Sequence, residues 1–234
     1  MKTEYFKIIK KIKNVDIKSM DLVWFLLFPI LNINYIVAAN IVESGKNIEL
    51  GFDRLIPFES IFIIPYIYWY IFITIGLIYI LYKSRSEYIK VFIAITIGMS
   101  CCYVIYYIFP TQIIRPVVDK SNILNKLVNI IYLKDKPFNC FPSIHVLNTY
   151  FIMRYTKFEY NKKYFYYTQT VGVLIILSTV FIKQHFVLDI IASIILCEEI
   201  IFLINKIKNE SLNKILDLPL RIKNRFDKNN EITY

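Results

Sequence analysis

The chain has only two histidines among its 234 residues, and one of them carries its own carboxylate. His185 precedes Asp189 by four residues, a spacing that places both side chains on one face of a helix. Asp189 could then fix the tautomer of the imidazole, leaving the other ring nitrogen free to act as a nucleophile or base. A pair that only holds helices together is the alternative. Burying a carboxylate in an apolar segment costs about 2.5 kcal/mol or more in a membrane, which favours a functional role.

The second histidine belongs to the tetrapeptide Pro142-Ser143-Ile144-His145. Ser143 is a favoured N-cap residue, and a helix beginning there would present free backbone N–H groups to an anion such as phosphate. His145 would stand beside that anion and could donate a proton to a leaving oxygen near neutral pH. A plain serine cap followed by a histidine at the water interface is the alternative.

Two basic residues lie close to these motifs in the sequence. The planar fork of Arg115 can hold two phosphate oxygens, although an arginine at a membrane interface can equally be an anchor. Lys183 is either an electrostatic helper or a marker of topology. A metal site built from His145, His185 and Asp189 is a further alternative. Because Arg115 and Lys183 would repel a cation, we expect neither a metal nor another cofactor.

The composition indicates that a membrane positions these residues. Hydrophobic residues make up 56% of the chain, and the mean hydropathy is +0.48. Several blocks of nearly 20 apolar residues exclude a single soluble core. The net charge of +10 is better explained by membrane topology and anionic lipid than by nucleic acid. The four cysteines form no CxxC motif, so neither a zinc ribbon nor a redox site is predicted.

We therefore predict an all-α polytopic membrane protein, a six-helix bundle with a basic amphipathic segment at 1–20 and a basic tail at 206–234. The membrane domain, 21–205, would contain spans at 22–42, 60–82, 90–109, 142–156, 165–183 and 186–205. Between the third and fourth spans, residues 121–131 have helical apolar spacing. They predict a short interfacial helix, which would either cap the site or only anchor the chain.

Most of the 28 Lys and Arg residues fall in segments that would share one side of the membrane with both termini. By the positive-inside rule this side is cytoplasmic. The candidate residues then converge at the outer ends of spans three to six. We expect an integral protein of a bacterial cytoplasmic membrane with its site on the outer face.

The motifs together resemble those of the type 2 phosphatidic acid phosphatase superfamily, the lipid phosphate phosphatases. That family carries Lys-x6-Arg-Pro, Pro-Ser-Gly-His and Ser-Arg-x5-His-x3-Asp. Three blocks at the same spacing occur here, although Ile108, Ile144 and Thr179 replace the lysine, the glycine and the second arginine. The segment Asp53 to Tyr70 also looks like the family's second span, so that the resemblance covers most of residues 50–205.

The resemblance implies a mechanism without metal. His185 would attack phosphorus to form a phosphohistidine, oriented by Asp189, and His145 would protonate the leaving group before water resolves the intermediate. The phosphoryl oxygens would be held by Arg115 and Ser143, with Ser178 nearby and Lys183 as a candidate replacement for a missing cation.

The expected substrate is a membrane lipid phosphate, a phosphomonoester or diphosphate that is hydrolysed. Reduced positive charge also fits head-group phosphotransferases similar to inositol phosphorylceramide and sphingomyelin synthases. A non-catalytic protein that binds anionic lipid is the third hypothesis.

Overall fold

The computed structural model describes residues 19–219 together with 221, 222, 224 and 225. Regular structure in this part of the chain is helical, as predicted, and two isolated β-bridges are its only strand-like pairings. Short 3-10 helices cover Ser19–Leu26, Gly51–Leu55 and Ser60–Phe62. The α-helices are α1 Leu27–Ile41, α2 Ile63–Lys83, α3 Arg85–Ile108, α4 Ile123–Lys134, α5 Ile144–Tyr155, α6 Lys162–Phe181, α7 Val187–Asn205 and α8 Asn209–Leu216.

Each of the six predicted spans coincides with a helix, but not every helix has the length and composition of a span. By those two criteria, three segments can cross a membrane: Ser60–Lys83, Arg85–Ile108 and Lys162–Phe181. Helices α1 and α5 have 15 and 12 residues, short of the roughly 20 that a bilayer needs. Helix α7 has 19 residues but carries Asp189, Glu198 and Glu199. The structure thus supports a membrane protein, while the count of six spans stays a prediction.

The short helix α5 forms the centre of the bundle and packs against α2, α3, α6 and α7. Its side chains Leu147, Phe151 and Ile152 are completely buried. Glycines on the surrounding helices allow this close approach. At Gly76 of α2, an added Cβ would lie only 2.5 Å from the Ile152 side chain, and at Gly98 of α3 it would lie 3.0 Å from Leu147. The packing fixes the depth at which α5 begins, and with it the position of His145.

The outside of the bundle is apolar. Along α2, the isoleucines at 64, 71, 75 and 78 are all between 43% and 55% exposed. A row of exposed branched aliphatic side chains on a long helix is unfavourable in water and typical of contact with lipid tails.

Ion pairs join the elements at the end of the bundle where α2 gives way to α3. Arg85 donates to Asp21 at 2.7 Å and to Asp217 at 3.0 Å. Lys157, after α5, pairs with Glu87 of α3 at 3.1 Å. The candidate site lies at the opposite end. The predicted basic segment 1–20 falls almost entirely outside the described residues, and the tail 206–234 is described only in part.

The connection between α3 and α5 contains a helix where one was expected. Asn122 caps α4 by accepting from the Asn125 backbone N–H at 2.9 Å. Tyr132 donates to the Ile182 carbonyl at 2.6 Å, which fastens α4 to the turn between α6 and α7. Burial raises the pKa of Tyr132 to about 12, an effect that nearby Arg115 partly offsets, so the hydroxyl keeps its proton as donor. Whether α4 lies at a membrane interface stays a prediction.

Candidate active site

His185 stands in the turn between α6 and α7, not on a helix. Helix α7 begins at Val187, so the expectation that His185 and Asp189 share one helical face was wrong in its geometry. The backbone carbonyl of Thr179 accepts from the N–H groups of Gln184 and His185, at 2.9 and 3.0 Å, and holds the turn. Asp189 reaches back from the first turn of α7, where it also accepts from the Phe186 N–H at 3.0 Å.

The predicted contact between His185 and Asp189 is present despite this difference. His185 Nδ1 lies 3.1 Å from Asp189 Oδ2 and 2.9 Å from the backbone oxygen of Cys140. Both partners are acceptors, so Nδ1 is the nitrogen that carries the proton in this arrangement. Nε2 therefore keeps its lone pair and is the atom that can act as a nucleophile.

His145 is the second residue of α5, and its ring is held by aromatic side chains. Ser143 caps the helix as predicted, accepting from the Val146 N–H at 3.3 Å. The imidazole lies against Tyr66 and Trp69, with ring centroids 4.6 and 4.3 Å away. Its Nε2 is buried and has no hydrogen-bond partner among the described residues. These contacts fix the ring while leaving one nitrogen available.

The two imidazoles face one cavity. Their centroids are 6.1 Å apart and the rings are inclined at 54°. Both rings line the same cavity, so a single phosphoryl group bound there can contact a nucleophile on one ring and a proton donor on the other.

We name the space between the rings the histidine cavity. Its volume is about 200 Å³, and its wall consists of Tyr35, Tyr66, Trp69, Tyr70, Tyr106, Arg115, Ile131, Lys134, Asp135, Lys136, Phe138, Asn139, Cys140, Ile144, His145, Gln184 and His185. A neighbouring lateral cavity of about 310 Å³ is lined by residues that include Asp53, Arg115, Lys183 and His185. Arg115 and His185 belong to both walls.

Arg115 is the basic residue between these cavities, and the chain itself holds it in place. One terminal nitrogen donates to the Asp135 carbonyl at 2.6 Å, and the other donates to the Gln184 side-chain oxygen. The guanidinium also lies over the Tyr132 ring, 4.7 Å from its centroid. The positive charge is thereby fixed beside His185, with Nε buried and without a partner among the described residues.

Lys183 lines the lateral cavity but also holds the turn before α7 against another segment of the chain. Its backbone adopts a φ of 53°, which turns the chain sharply before His185. Its ammonium donates to the carbonyls of Asp53 and Ile56, at 3.1 and 2.5 Å. Two of its three N–H donors are thus already engaged, which leaves one for an anion.

Two of the predicted phosphate ligands do not reach either cavity wall. Ser143 is fully buried as the cap of α5, and Ser178 donates to the Ile175 carbonyl at 2.6 Å within α6. The Thr179 hydroxyl likewise donates to the Ile176 carbonyl, at 2.7 Å. Ile108 is 78% exposed and lines neither cavity.

The structure also shows residues at or near the site that the sequence analysis did not single out. Lys134 and Lys136, at the end of α4, line the histidine cavity and add positive charge there. Asn139 and Gln184 line it with buried amides. Outside it, the buried carboxylate of Asp53 accepts from the Val187 N–H at 2.9 Å and caps α7. Motif spacing carries no signal for Lys134, Lys136 and Asn139, because the long connection between α3 and α5 brings them to the cavity, whereas Gln184 lies there because it directly precedes His185.

Cys140 contributes its backbone to the site, not its thiol. Its carbonyl contacts His185, while burial raises the pKa of the side chain and keeps the sulfur protonated. In the part of the chain that the structure describes, no group of three or more His, Cys, Asp or Glu side chains is placed to hold a metal ion. Within the described residues, His145, His185 and Asp189 are therefore not arranged as a set of metal ligands.

The fold and the site define an apolar helical protein with two histidines, one backed by a carboxylate, facing each other beside an arginine. Its sequence matches the family model of the PAP2 superfamily over residues 46–203, which is more than half of the chain. The chain belongs to this superfamily, and membership supports a phosphatase or phosphotransferase type of activity. No curated protein and no solved structure gives a significant match to the chain.

Proposed function

We propose that the protein is a membrane lipid phosphate phosphatase that works through a phosphohistidine on His185. The observation that carries this proposal is the arrangement of His185, with Nδ1 held by two acceptors and its ring 6.1 Å from that of His145 in the wall of the same cavity. A phosphate placed between the rings would meet a nucleophile on one side and a proton donor on the other.

The first step would form a bond between His185 Nε2 and phosphorus while the bond from phosphorus to the lipid oxygen breaks. The imidazolium form of His145 would donate its Nε2 proton to that oxygen and become neutral, so that the lipid leaves as an alcohol. The imidazolium-like charge that develops on His185 would be stabilised by the carboxylate of Asp189 at 3.1 Å. Arg115, whose terminal nitrogens already donate to the chain, would stabilise the phosphoryl oxygens through its positive charge and its Nε–H.

In the second step His145, now a base, would take a proton from water. The resulting nucleophile would attack phosphorus, the bond to His185 Nε2 would break, and inorganic phosphate would leave. Both histidines then regain their starting protonation states. We propose that the site lies at the outer face of a bacterial cytoplasmic membrane, because most Lys and Arg residues of the sequence fall in the segments predicted for the other side.

The test uses the full-length protein purified in detergent, with phosphatidic acid in mixed micelles. We expect phosphate release in the presence of a chelator, and its loss in both His185→Ala and His145→Ala. The variants separate with 4-nitrophenyl phosphate, whose leaving group needs no protonation. His145→Ala should still form the phosphohistidine and release a burst of 4-nitrophenol, although its second step lacks a base, whereas His185→Ala should do neither. Acid-labile, base-stable labelling of wild type by phosphate-labelled substrate, absent in His185→Ala, would identify the intermediate. Full activity of His185→Ala would refute the assignment.

Head-group transfer to a lipid hydroxyl is the second candidate. It is favoured by the positions of Ile108 and Thr179, where the family's cations are missing and where neither side chain lines the histidine cavity. Lipid profiles of cells with and without the protein distinguish the two. A new phosphodiester lipid indicates transfer, whereas a depleted lipid phosphate pool indicates hydrolysis. If neither lipid change is seen and His185 is not labelled, the remaining hypothesis is a non-catalytic protein that binds anionic lipid.

A further inference from the structure

The wall of the histidine cavity contains two buried amide side chains that the proposed mechanism does not use. Asn139 and Gln184 are each only 2% exposed. Both amide atoms of Asn139 and the Nε2 of Gln184 are buried without a hydrogen-bond partner among the described residues. Buried polar atoms are nearly always paired in folded proteins, so each of these three atoms requires an explanation.

Gln184 can face the cavity in only one orientation. Its Oε1 accepts from Arg115, so the amide nitrogen is the end that remains unpaired. The residue also directly precedes the proposed nucleophile, and its backbone is fixed by the Thr179 carbonyl. A donor is therefore held next to His185 and next to the cation.

Asn139 reaches the same cavity from the loop before α5. Its φ of 57° lies in the left-handed region, which asparagine tolerates better than most residues. Its N–H donates to the Thr111 carbonyl at 2.9 Å, which anchors the backbone. The side chain thus offers one donor nitrogen and one acceptor oxygen from a fixed position.

We infer that Asn139 and Gln184 form the neutral part of a phosphoryl-binding cradle in the histidine cavity, with their amide N–H groups donating to the non-bridging oxygens of the lipid phosphate. The inference rests on the proposed function. Together with the Nε of Arg115, also unpaired, they supply donors from more than one direction. Oδ1 of Asn139 can accept from the hydroxyl of a singly protonated phosphate. The cradle therefore suits a phosphoryl group with one negative charge.

Two substitutions remove these donors, and the first of them is nearly isosteric. Gln184→Glu keeps an oxygen for Arg115 but replaces the unpaired N–H₂ by a second oxygen, which repels phosphate. Asn139→Gly removes the amide, and glycine accepts the positive φ. Gln112→Glu is the matched control, because Gln112 lies on the same side of the bundle, uses its oxygen to accept from the Gly45 N–H, and lines neither cavity.

Binding is measured first, as the shift in melting temperature that orthovanadate produces in the detergent-purified full chain. We expect a shift in wild type and in Gln112→Glu. Gln184→Glu and Asn139→Gly should each need roughly tenfold to a hundredfold more vanadate, as for a lost hydrogen bond to a charged group. An unchanged vanadate dependence in both variants, or no shift in wild type, would overturn the cradle.

Kinetics with phosphatidic acid separate this inference from the proposed function. If wild type hydrolyses the lipid and both variants keep its KM, the cradle is refuted while hydrolysis stands. If wild type hydrolyses nothing but its vanadate shift depends on the two amides, the cradle stands and the hydrolase assignment fails. If KM rises in both variants and kcat falls by a smaller factor, the result supports both the cradle and the hydrolase assignment.

Discussion

Replacing Asp189 by asparagine isolates the charge of this residue from its hydrogen bonds. Asp189 Oδ2 accepts from both His185 Nδ1 and the Phe186 N–H, whereas Oδ1 is buried without a partner among the described residues. An asparagine can place its side-chain oxygen where Oδ2 lies and its amide nitrogen where Oδ1 lies. The carbonyl of Cys140 also continues to hold the Nδ1–H. The tautomer of His185 should therefore survive the substitution, and only the negative charge is lost.

The expected effect lies between two limits. At the observed 3.1 Å, the attraction between opposite unit charges is about 5 kcal/mol for an effective dielectric constant of about 20. The lower limit is the difference between a charged and a neutral hydrogen bond, about 1 kcal/mol. Since about 1.36 kcal/mol corresponds to a tenfold change in rate, kcat should fall by at least roughly fivefold and at most about ten-thousandfold. KM should change little, because Asp189 lines neither cavity.

The assay is phosphate release from phosphatidic acid under saturating substrate, with melting temperature as the control for folding. Asp189→Ala provides the comparison, since it removes the acceptor for Phe186 as well and should lower both kcat and stability. A kcat of Asp189→Asn within twofold of wild type, in a protein with the wild-type melting temperature, would refute the role of the carboxylate. So would a change confined to KM.

Three further substitutions test the support of the site. Gly76→Ala should overpack against Ile152 and cost about 1–3 kcal/mol, seen as a lower melting temperature, whereas Gly51→Ala meets no atom within 4 Å and should be neutral. Asp53→Ala removes the carboxylate cap of α7 and should cost about 0.5–2 kcal/mol, with kcat falling as well. Arg115→Lys should lower kcat/KM for phosphatidic acid at least tenfold, because a lysine cannot donate to the Asp135 carbonyl and the Gln184 side chain in the same geometry. An unchanged melting temperature in the first two, or unchanged kinetics in the third, would contradict these assignments.

The local parts of the fold and the site could be predicted from the sequence. Runs of apolar residues placed the helices, and the preference of serine for an N-cap placed the start of α5 at Ser143. The spacing of four also predicted the contact between His185 and Asp189, although α7 begins only after His185. The carboxylate reaches back to the imidazole from the first turn, so the pair forms without a shared helical face.

The parts that depend on long loops could not be predicted in this way. Lys136 and Asn139 reach the cavity through the chain that leaves α4, and their positions depend on contacts with Thr111 and Arg115. Spacing also cannot tell whether a hydroxyl points to a ligand or to its own helix. Ser178 was assigned to the substrate on its motif, but in the structure its hydroxyl is bonded within α6.

The same geometry bears on the choice between water and a lipid hydroxyl as acceptor. In the proposed mechanism His145 donates a proton to the first leaving group and takes one from the acceptor, so the acceptor must occupy the place that the leaving group vacates. That place adjoins the aromatic side of the cavity, where Tyr66 and Trp69 hold His145. Variants of Trp69 should therefore change the ratio of transfer to hydrolysis, whereas Lys136→Ala, on the loop side of the same cavity, should change KM and leave that ratio constant.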